Sequence, residues 1–303
     1  MIKNKIKIGR IFFMMVWLII STKSVLHSQD STLFREYQSI QNNYENMPLL
    51  LDKALKAGDK ELAKTIIGDY LHNYLDKLSL DEFATKEHIE FLGKFAGDIV
   101  SSMDQVFQWF YKHGDKIDSV MHNDDCAKHI LVNFIIRKEE IIPKVKAAEQ
   151  NGSEPDWAQI SRTIQNKYGK NYINYNMVSS KMNWYFNKKN YPQYVHNLTA
   201  LMGLSDVQKS DNWQSLNQAA WSLFMYSQQK DELEKALTWI ERALQIKPED
   251  YRLIDTKANL LYKLGKKEEA ITFEQKAASM SKEKGIQATL AKMQKDEQTW
   301  ENY

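Results

Sequence analysis

NQAAWSLFMYSQQKDELEKALTWIERALQIKPED, at residues 217–250, is followed by YRLIDTKANLLYKLGKKEEAITFEQKAASMSKE at residues 251–283. The two lines share one spacing: Ala236 and Ala270 stand 34 residues apart, and so do Ala243 and Ala277. A period of this length is typical of small helical units that stack along the chain, because one unit alone cannot bury its apolar face. The spacing therefore predicts a repeat architecture.

Apolar and small residues within each line recur at steps of three and four, as one buried helical face requires. In the second line these residues are Leu260, Leu261, Leu264, Ala270, Ile271, Phe273, Ala277 and Ala278. Gly265 interrupts the pattern midway and supplies a residue that can adopt a left-handed turn between two helices. Each line is predicted to be an αα-hairpin whose small residues let its two helices approach closely.

These lines resemble the tetratricopeptide repeat family. The second keeps the family's mid-repeat glycine and its small residues, at Gly265, Ala258, Ala270 and Ala277, and the first ends on Pro248. The first line departs from the pattern with Asp231 in place of the turn glycine and Phe224 in place of a small residue. The resemblance implies a right-handed superhelical array with repeats at 217–250 and 251–284.

In tetratricopeptide proteins the first helix of each unit faces a concave surface that binds protein segments. The resemblance places seven residues on that surface: Gln218, Trp221, Met225, Arg252, Asn259, Tyr262 and Lys263. Aromatic, cationic and amide groups in one patch suit a protein or peptide partner. The family's clamp for C-terminal carboxylates is not reproduced, because Trp221, Met225 and Thr256 occupy positions that it would use.

The whole chain is composed like a helical protein. It has 303 residues, of which 43% are hydrophobic, and only 11 glycines and 5 prolines. Few breakers and no alternating strand pattern favour an all-α protein. We expect a superhelical solenoid of αα-hairpins, with degenerate hairpins at 29–210 and the repeats plus a capping helix, Gly285–Trp300, at 211–303.

Residues 1–28 have the pattern of a secretory signal peptide. Four basic residues precede the apolar run Ile11–Ile20, and a polar stretch then leads to Ser28. The run is 10 residues long, whereas a membrane span needs about 20, so an uncleaved anchor is the less favoured alternative. The pattern predicts a periplasmic or secreted protein with no stable membrane span after cleavage.

Charge argues against a nucleic-acid partner. The chain has 41 basic and 39 acidic residues, and the leader holds five of the basic ones and no acidic one. Cleavage would leave 36 basic residues against 39 acidic ones, a net charge of about −3. Binding to phosphates requires concentrated positive charge, so we expect no nucleic-acid binding.

A second resemblance extends across the helical part of the chain. LDKALKAGD at 51–59, DWAQI at 156–160, and the pairs Trp184-Tyr185 and Tyr191-Pro192 resemble the helical tail that follows the thioredoxin domain in exported Bacteroidetes-type proteins. The Trp-Cys-x-x-Cys motif of that domain is missing, so its redox activity is not implied. The resemblance leaves one alternative open: this chain could be an accessory or docking subunit that binds a separate thioredoxin-like protein.

Sites for chemistry are few. His122, Cys126 and His129 could share one helix face and hold zinc or copper, with the alternative that residues 122–125 form a charged loop before a helix containing a buried Cys126. Acidic pairs such as Glu268-Glu269 are typical of solvated helix faces. The chain has no glycine-rich phosphate loop, GxSxG or HExxH motif. The sequence therefore predicts no enzyme, no cofactor and no resident metal.

Local signals place several elements along the first 210 residues. Pro48 is suited to the first turn of a helix that runs to Ala57, and Ser79 with Glu82 forms a capping-box pattern for a helix ending near Gly93 or Gly97. Further helices are predicted at Trp157–Tyr168 and at the hairpin of Asn176–Lys188 and Tyr191–Met202.

Overall fold

The computed structural model of the protein describes residues 32–40, 43–95, 97, 99–204, 207 and 212–301. Every regular element in these ranges is a helix, so the all-α prediction is confirmed. The predicted signal peptide, 1–28, lies outside the described residues. Within them, no helix has both the length and the apolar character that a membrane crossing requires.

The helices fall into two compact units, which divide between Lys167 and Tyr168. The first unit contains α1 (Thr32–Ile40), α2 (Met47–Lys56), α3 (Lys60–Asp69), α4 (Leu80–Phe83), α5 (Lys86–Phe95), α6 (Gln105–Lys112), α7 (Gly114–Met121), α8 (Asn133–Ile136), α9 (Ile142–Gln150) and most of α10 (Trp157–Tyr168). Three π-helical turns, Tyr70–Tyr74, Lys128–Val132 and Arg137–Ile141, interrupt this unit, as do 3-10 turns at Tyr44–Asn46 and Leu75–Lys77.

The second unit is more regular. After a 3-10 turn at Lys170–Tyr172 it contains α11 (Ile173–Asn187), α12 (Tyr191–Met202), α13 (Trp213–Tyr226), α14 (Lys230–Ile246), α15 (Tyr251–Lys263), α16 (Lys267–Met280) and α17 (Lys284–Gln294). Consecutive helices pack as pairs: α11 on α12, α13 on α14 and α15 on α16. The α11–α12 pair thus belongs to the same compact unit as the two lines at 217–250 and 251–283.

Small side chains explain the close pairing in the second unit. Ala236, Ala243, Ala258, Ala270 and Ala277 are all fully buried, so the helices meet where the side chains are shortest. Larger groups fill the space between the pairs, and Leu216, Leu223, Phe224, Ile240 and Leu260 form one buried cluster. At the turn between α15 and α16, Gly265 has φ of 82°, the left-handed conformation that the sequence predicts there.

Ser79 caps α4 as predicted. Its hydroxyl accepts a bond from the Glu82 backbone N–H, while the Glu82 carboxylate accepts from the Ser79 backbone N–H at 2.8 Å. The predicted length was wrong, because α4 ends at Phe83 and a new helix starts at Lys86. Phe83 is completely buried, and the chain changes direction directly after it.

The last helix is also shorter than predicted. It ends at Gln294, because Asp296 adopts a left-handed conformation with φ of 66°. The Glu297 N–H bonds to the Lys292 carbonyl at 2.9 Å and the Asp296 N–H to the Met293 carbonyl at 3.2 Å. This pair of bonds is the Schellman motif, which closes a helix and reverses the chain. Residues 297–301 therefore leave the axis of α17.

Candidate functional site

Aromatic rings and one lysine converge where α13 and α15 meet the C-terminal segment. Trp221 lies against Phe224 on α13, with ring centroids 4.9 Å apart. Trp300 approaches the same Phe224 edge-on at 6.4 Å and the Tyr262 ring at 6.3 Å. We call the surface formed by Trp221, Phe224, Tyr262 and Lys263 the aromatic face.

Lys263 lies at the centre of the aromatic face. Its Nζ donates a 2.6 Å hydrogen bond to the Phe224 carbonyl, one of the last carbonyls of α13, where a cation is favoured. The same Nζ lies 5.5 Å from the Phe224 ring centroid and 5.1 Å from that of Trp300, within cation–π range. Burial lowers the pKa of Lys263 to about 8. Among the described residues no carboxylate is within ion-pair distance of it, so its charge is balanced by carbonyl and ring electrons.

The margin of the aromatic face is open. Trp221 keeps 38% of its surface exposed, which is high for a tryptophan that packs on another ring. Gln218, nearly one turn earlier on α13, is exposed, and Met225 is half-buried against the core cluster. The rim of the aromatic face therefore consists of the apolar Trp221 and Met225 side chains and the Gln218 amide.

Arg252 and Asn259, the other two predicted surface residues, are engaged within α15 and its cap. The Arg252 guanidinium holds Asp250 through Nε at 2.9 Å and Nη2 at 2.5 Å, and it lies over the Trp213 ring at 5.2 Å. This contact is the first cause that lowers the pKa of Asp250. Asn259 is buried and donates its amide to the backbone carbonyl and the side chain of Asp255.

A pair of carboxyl groups lies between α15 and α16. Glu274 is completely buried, and in the described part of the chain neither of its oxygens has a hydrogen-bond partner. Burial first, and the neighbouring Asp255 second, raise the pKa of Glu274 well above its usual range. Burial also raises the pKa of Asp255. The two shifts have the same direction, so the pair favours a state in which Glu274 keeps its proton near neutral pH.

The sequence interpretation missed Glu274, although its spacing contains a signal. Glu274 stands four residues after Ala270 and three before Ala277, which places it on the buried stripe of α16. Trp300 was missed for another reason. It was assigned to the capping helix, and only the reversal at Asp296 brings it back to α13 and α15.

His122, Cys126 and His129 do not form a ligand cluster. His122 is an exposed residue with φ of 50° that ends α7, whereas Cys126 is buried in the next helical turn. Burial raises the pKa of the Cys126 thiol to about 12, and the nearby Asp118 adds to the effect. A thiol that stays protonated is a poor metal ligand and a poor nucleophile.

One group within the described residues has the composition of a metal site. His72 Nδ1 is 3.4 Å from Asp76 Oδ2 and 3.9 Å from Asp104 Oδ1. The other oxygen of each aspartate accepts a backbone N–H, from Val106 to Asp76 and from Ser101 to Asp104. One nitrogen and two oxygens are a donor set that could hold a divalent cation, while the same carboxylates fix the start of α6.

No protein-family model matches the chain, and no curated protein matches it.

Proposed function

We propose that the protein is an exported, non-enzymatic interaction module of the tetratricopeptide type, and that its aromatic face binds a segment of a partner protein. The 34-residue period and the small-residue helix pairs support the repeat assignment and the superhelical array. The apolar run after four basic residues supports export to the periplasm or beyond.

One observation carries the binding proposal: an exposed Trp221 and a half-buried Lys263 that no described carboxylate neutralises both contact Phe224. Partly exposed tryptophan beside aromatic and cationic groups is the composition of protein-binding hot spots. The rim formed by Gln218 and Met225 adds an amide and an apolar group. This mixture suits an extended peptide, whose main chain needs polar partners and whose side chains need apolar ones.

Site-specific photocrosslinking tests this proposal. A photoreactive amino acid replaces Gln218 on the rim in cells that produce the protein. The matched control replaces Glu234, whose side chain is 58% exposed on the neighbouring helix α14. We expect a discrete crosslinked partner with the probe at 218 and none at 234, and we expect Trp221→Ala to remove the product. Equal crosslinking from both positions, or persistence in Trp221→Ala, would contradict the proposal.

A further inference from the structure

The C-terminal segment of the chain already lies on the aromatic face. Residues 295–301 read KDEQTWE, and the Schellman motif at Asp296 directs them away from α17. Trp300 then packs on Phe224, Tyr262 and the Lys263 ammonium group. A peptide stretch outside any helix therefore occupies part of the surface that the sequence predicts for a partner.

Two anchors hold this segment. At one end the Asp296 carboxylate pairs with Lys267 at the start of α16, at 2.8 Å. At the other end the Trp300 ring is half-buried against the face. Glu297 and Gln298, between the anchors, are exposed, and Gln298 donates its side-chain amide to the Trp300 carbonyl within the segment itself. Because these contacts are made by residues beyond the end of α17, the segment can leave the face while α17 keeps its place.

The charges of segment and face are complementary. Asp296, Glu297 and Glu301 make the segment acidic, whereas Lys263 and Lys267 lie beside it on the helices. Tyr262 takes part in the same contact, because burial and the nearby Asp296 carboxylate both raise its pKa. The face thus binds an indole ring beside the Lys263 ammonium group, and Lys267 at the start of α16 binds a carboxylate of the same segment.

We propose that residues 295–301 act as an internal ligand of the aromatic face, and that the external ligand they imitate is an acidic peptide bearing a tryptophan. This inference rests on the proposed function and gives its ligand a chemical class. Internal and external peptides compete for the same ring contacts, so only one can occupy the face. A tethered segment has a high effective concentration and lowers the apparent affinity for any free peptide.

Fluorescence anisotropy with a labelled synthetic peptide of sequence KDEQTWE tests the competition. The full chain and its Trp300→Ala variant are titrated against this probe, with circular dichroism to verify that both are folded. Because Trp300→Ala removes the internal competitor, we expect at least about tenfold tighter binding to the variant. Glu234→Ala, an exposed change on α14 outside both the segment and the aromatic face, should leave the affinity as in the unaltered chain.

Two further titrations define what the face recognises. A probe of sequence KDEQTAE should lose binding, because it lacks the indole. Adding Lys263→Gln to Trp300→Ala should weaken binding of the tryptophan probe by about tenfold, because the cation–π contact is lost.

Equal affinity of the probe for the full chain and for Trp300→Ala, or no binding to either, would overturn the inference. So would a concentration-dependent dimer that dissociates on Trp300→Ala, since the segment would then occupy a second copy. These failures are distinct from failure of the proposed function. A partner crosslinked at residue 218 with no binding of the acidic probe would leave the module intact and remove only its proposed ligand class.

Discussion

The two compact units use different solutions to the packing of helices. In the second unit, α11–α17 have 11 to 17 residues, and the pairs from α13 to α16 meet through alanines that are fully buried. In the first unit the helices have 4 to 12 residues, with π-helical and 3-10 turns between them, and the core contains the rings of Phe83, Phe107 and Phe110. Short side chains at repeated positions permit straight, similar pairs, whereas rings of various orientations fit only where the backbone adjusts.

The two units also differ in the groups that surround a buried acidic side chain. In the first unit, Glu140 pairs with Lys167 Nζ at 2.6 Å and lies 3.8 Å from Lys144 Nζ. In the second unit, Glu274 has the Asp255 carboxyl group as its neighbour, and among the described residues no cation pairs with it. Glu140 thus has two cations beside it, whereas burial and Asp255 favour the neutral form of Glu274. The two sites should therefore respond in opposite directions to the same substitution.

The largest effect is expected for Phe224→Ala in the regular unit. Phe224 is fully buried in the core cluster and also supports Trp221 and Trp300, so its loss leaves a cavity. We expect a loss of about 3–5 kcal/mol in the free energy of unfolding, measured by chemical denaturation. Phe186→Ala is the matched control, because that ring is 42% exposed, and it should cost under about 1 kcal/mol. Similar losses for both would show that the α13 core is loosely packed.

The second effect depends on pH and comes from Glu274. Because its pKa is raised in the folded state, the folded chain binds a proton that the unfolded chain releases. The resulting stability is complete below the ordinary carboxyl pKa and is lost as pH rises toward the raised value. Through this window the free energy of unfolding should fall by up to about 1.4 kcal/mol per pH unit.

Glu274→Gln should flatten that dependence, since an amide stays neutral throughout this pH range. Denaturation between pH 5 and pH 8 measures the slope, and the variant should be the more stable protein at pH 8. Glu269→Gln, an exposed position on the same helix, serves as control and should keep the slope of the unaltered chain. An unchanged slope in Glu274→Gln would show that the pair holds no proton.

The third effect tests the alanine contacts. Ala277→Leu puts a larger, branched side chain at a position on α16 that is completely buried. We expect a loss of about 1–3 kcal/mol from overpacking, again by chemical denaturation. Ala288→Leu, at an exposed position on α17, should change stability by no more than about 0.5 kcal/mol. Tolerance of Ala277→Leu would remove the packing explanation for the regularity of the second unit.

The smallest effect is expected for Glu140→Gln. The change weakens the contact with Lys167 and Lys144, but both lysines keep enough exposure to be solvated. We expect a loss of about 1 kcal/mol near neutral pH, measured beside Glu274→Gln at pH 8. A gain in stability for Glu140→Gln would contradict the expectation that the two substitutions change stability in opposite directions.

The sequence predicts elements best where a local signal determines them. Trp157–Tyr168 has the bounds that the pattern indicates, and the Ser79–Glu82 cap forms from groups three residues apart. The break after Phe83 could not be read in this way, because it follows from where that ring is buried. The aromatic face was predicted only in part: the repeat register puts Trp221, Tyr262 and Lys263 on first helices, whereas the return of Trp300 depends on a left-handed Asp296, a residue less typical of that conformation than glycine.

Unfolding also releases the proton that the Asp255–Glu274 pair holds in the folded state. Because burial raises the pKa of Glu274 in the folded state, unfolding near neutral pH returns a proton to the solvent. The buffer takes it up and contributes its own heat of ionisation. Calorimetric unfolding in buffers of different ionisation enthalpy should therefore give different apparent enthalpies, and the slope of that dependence counts the protons released.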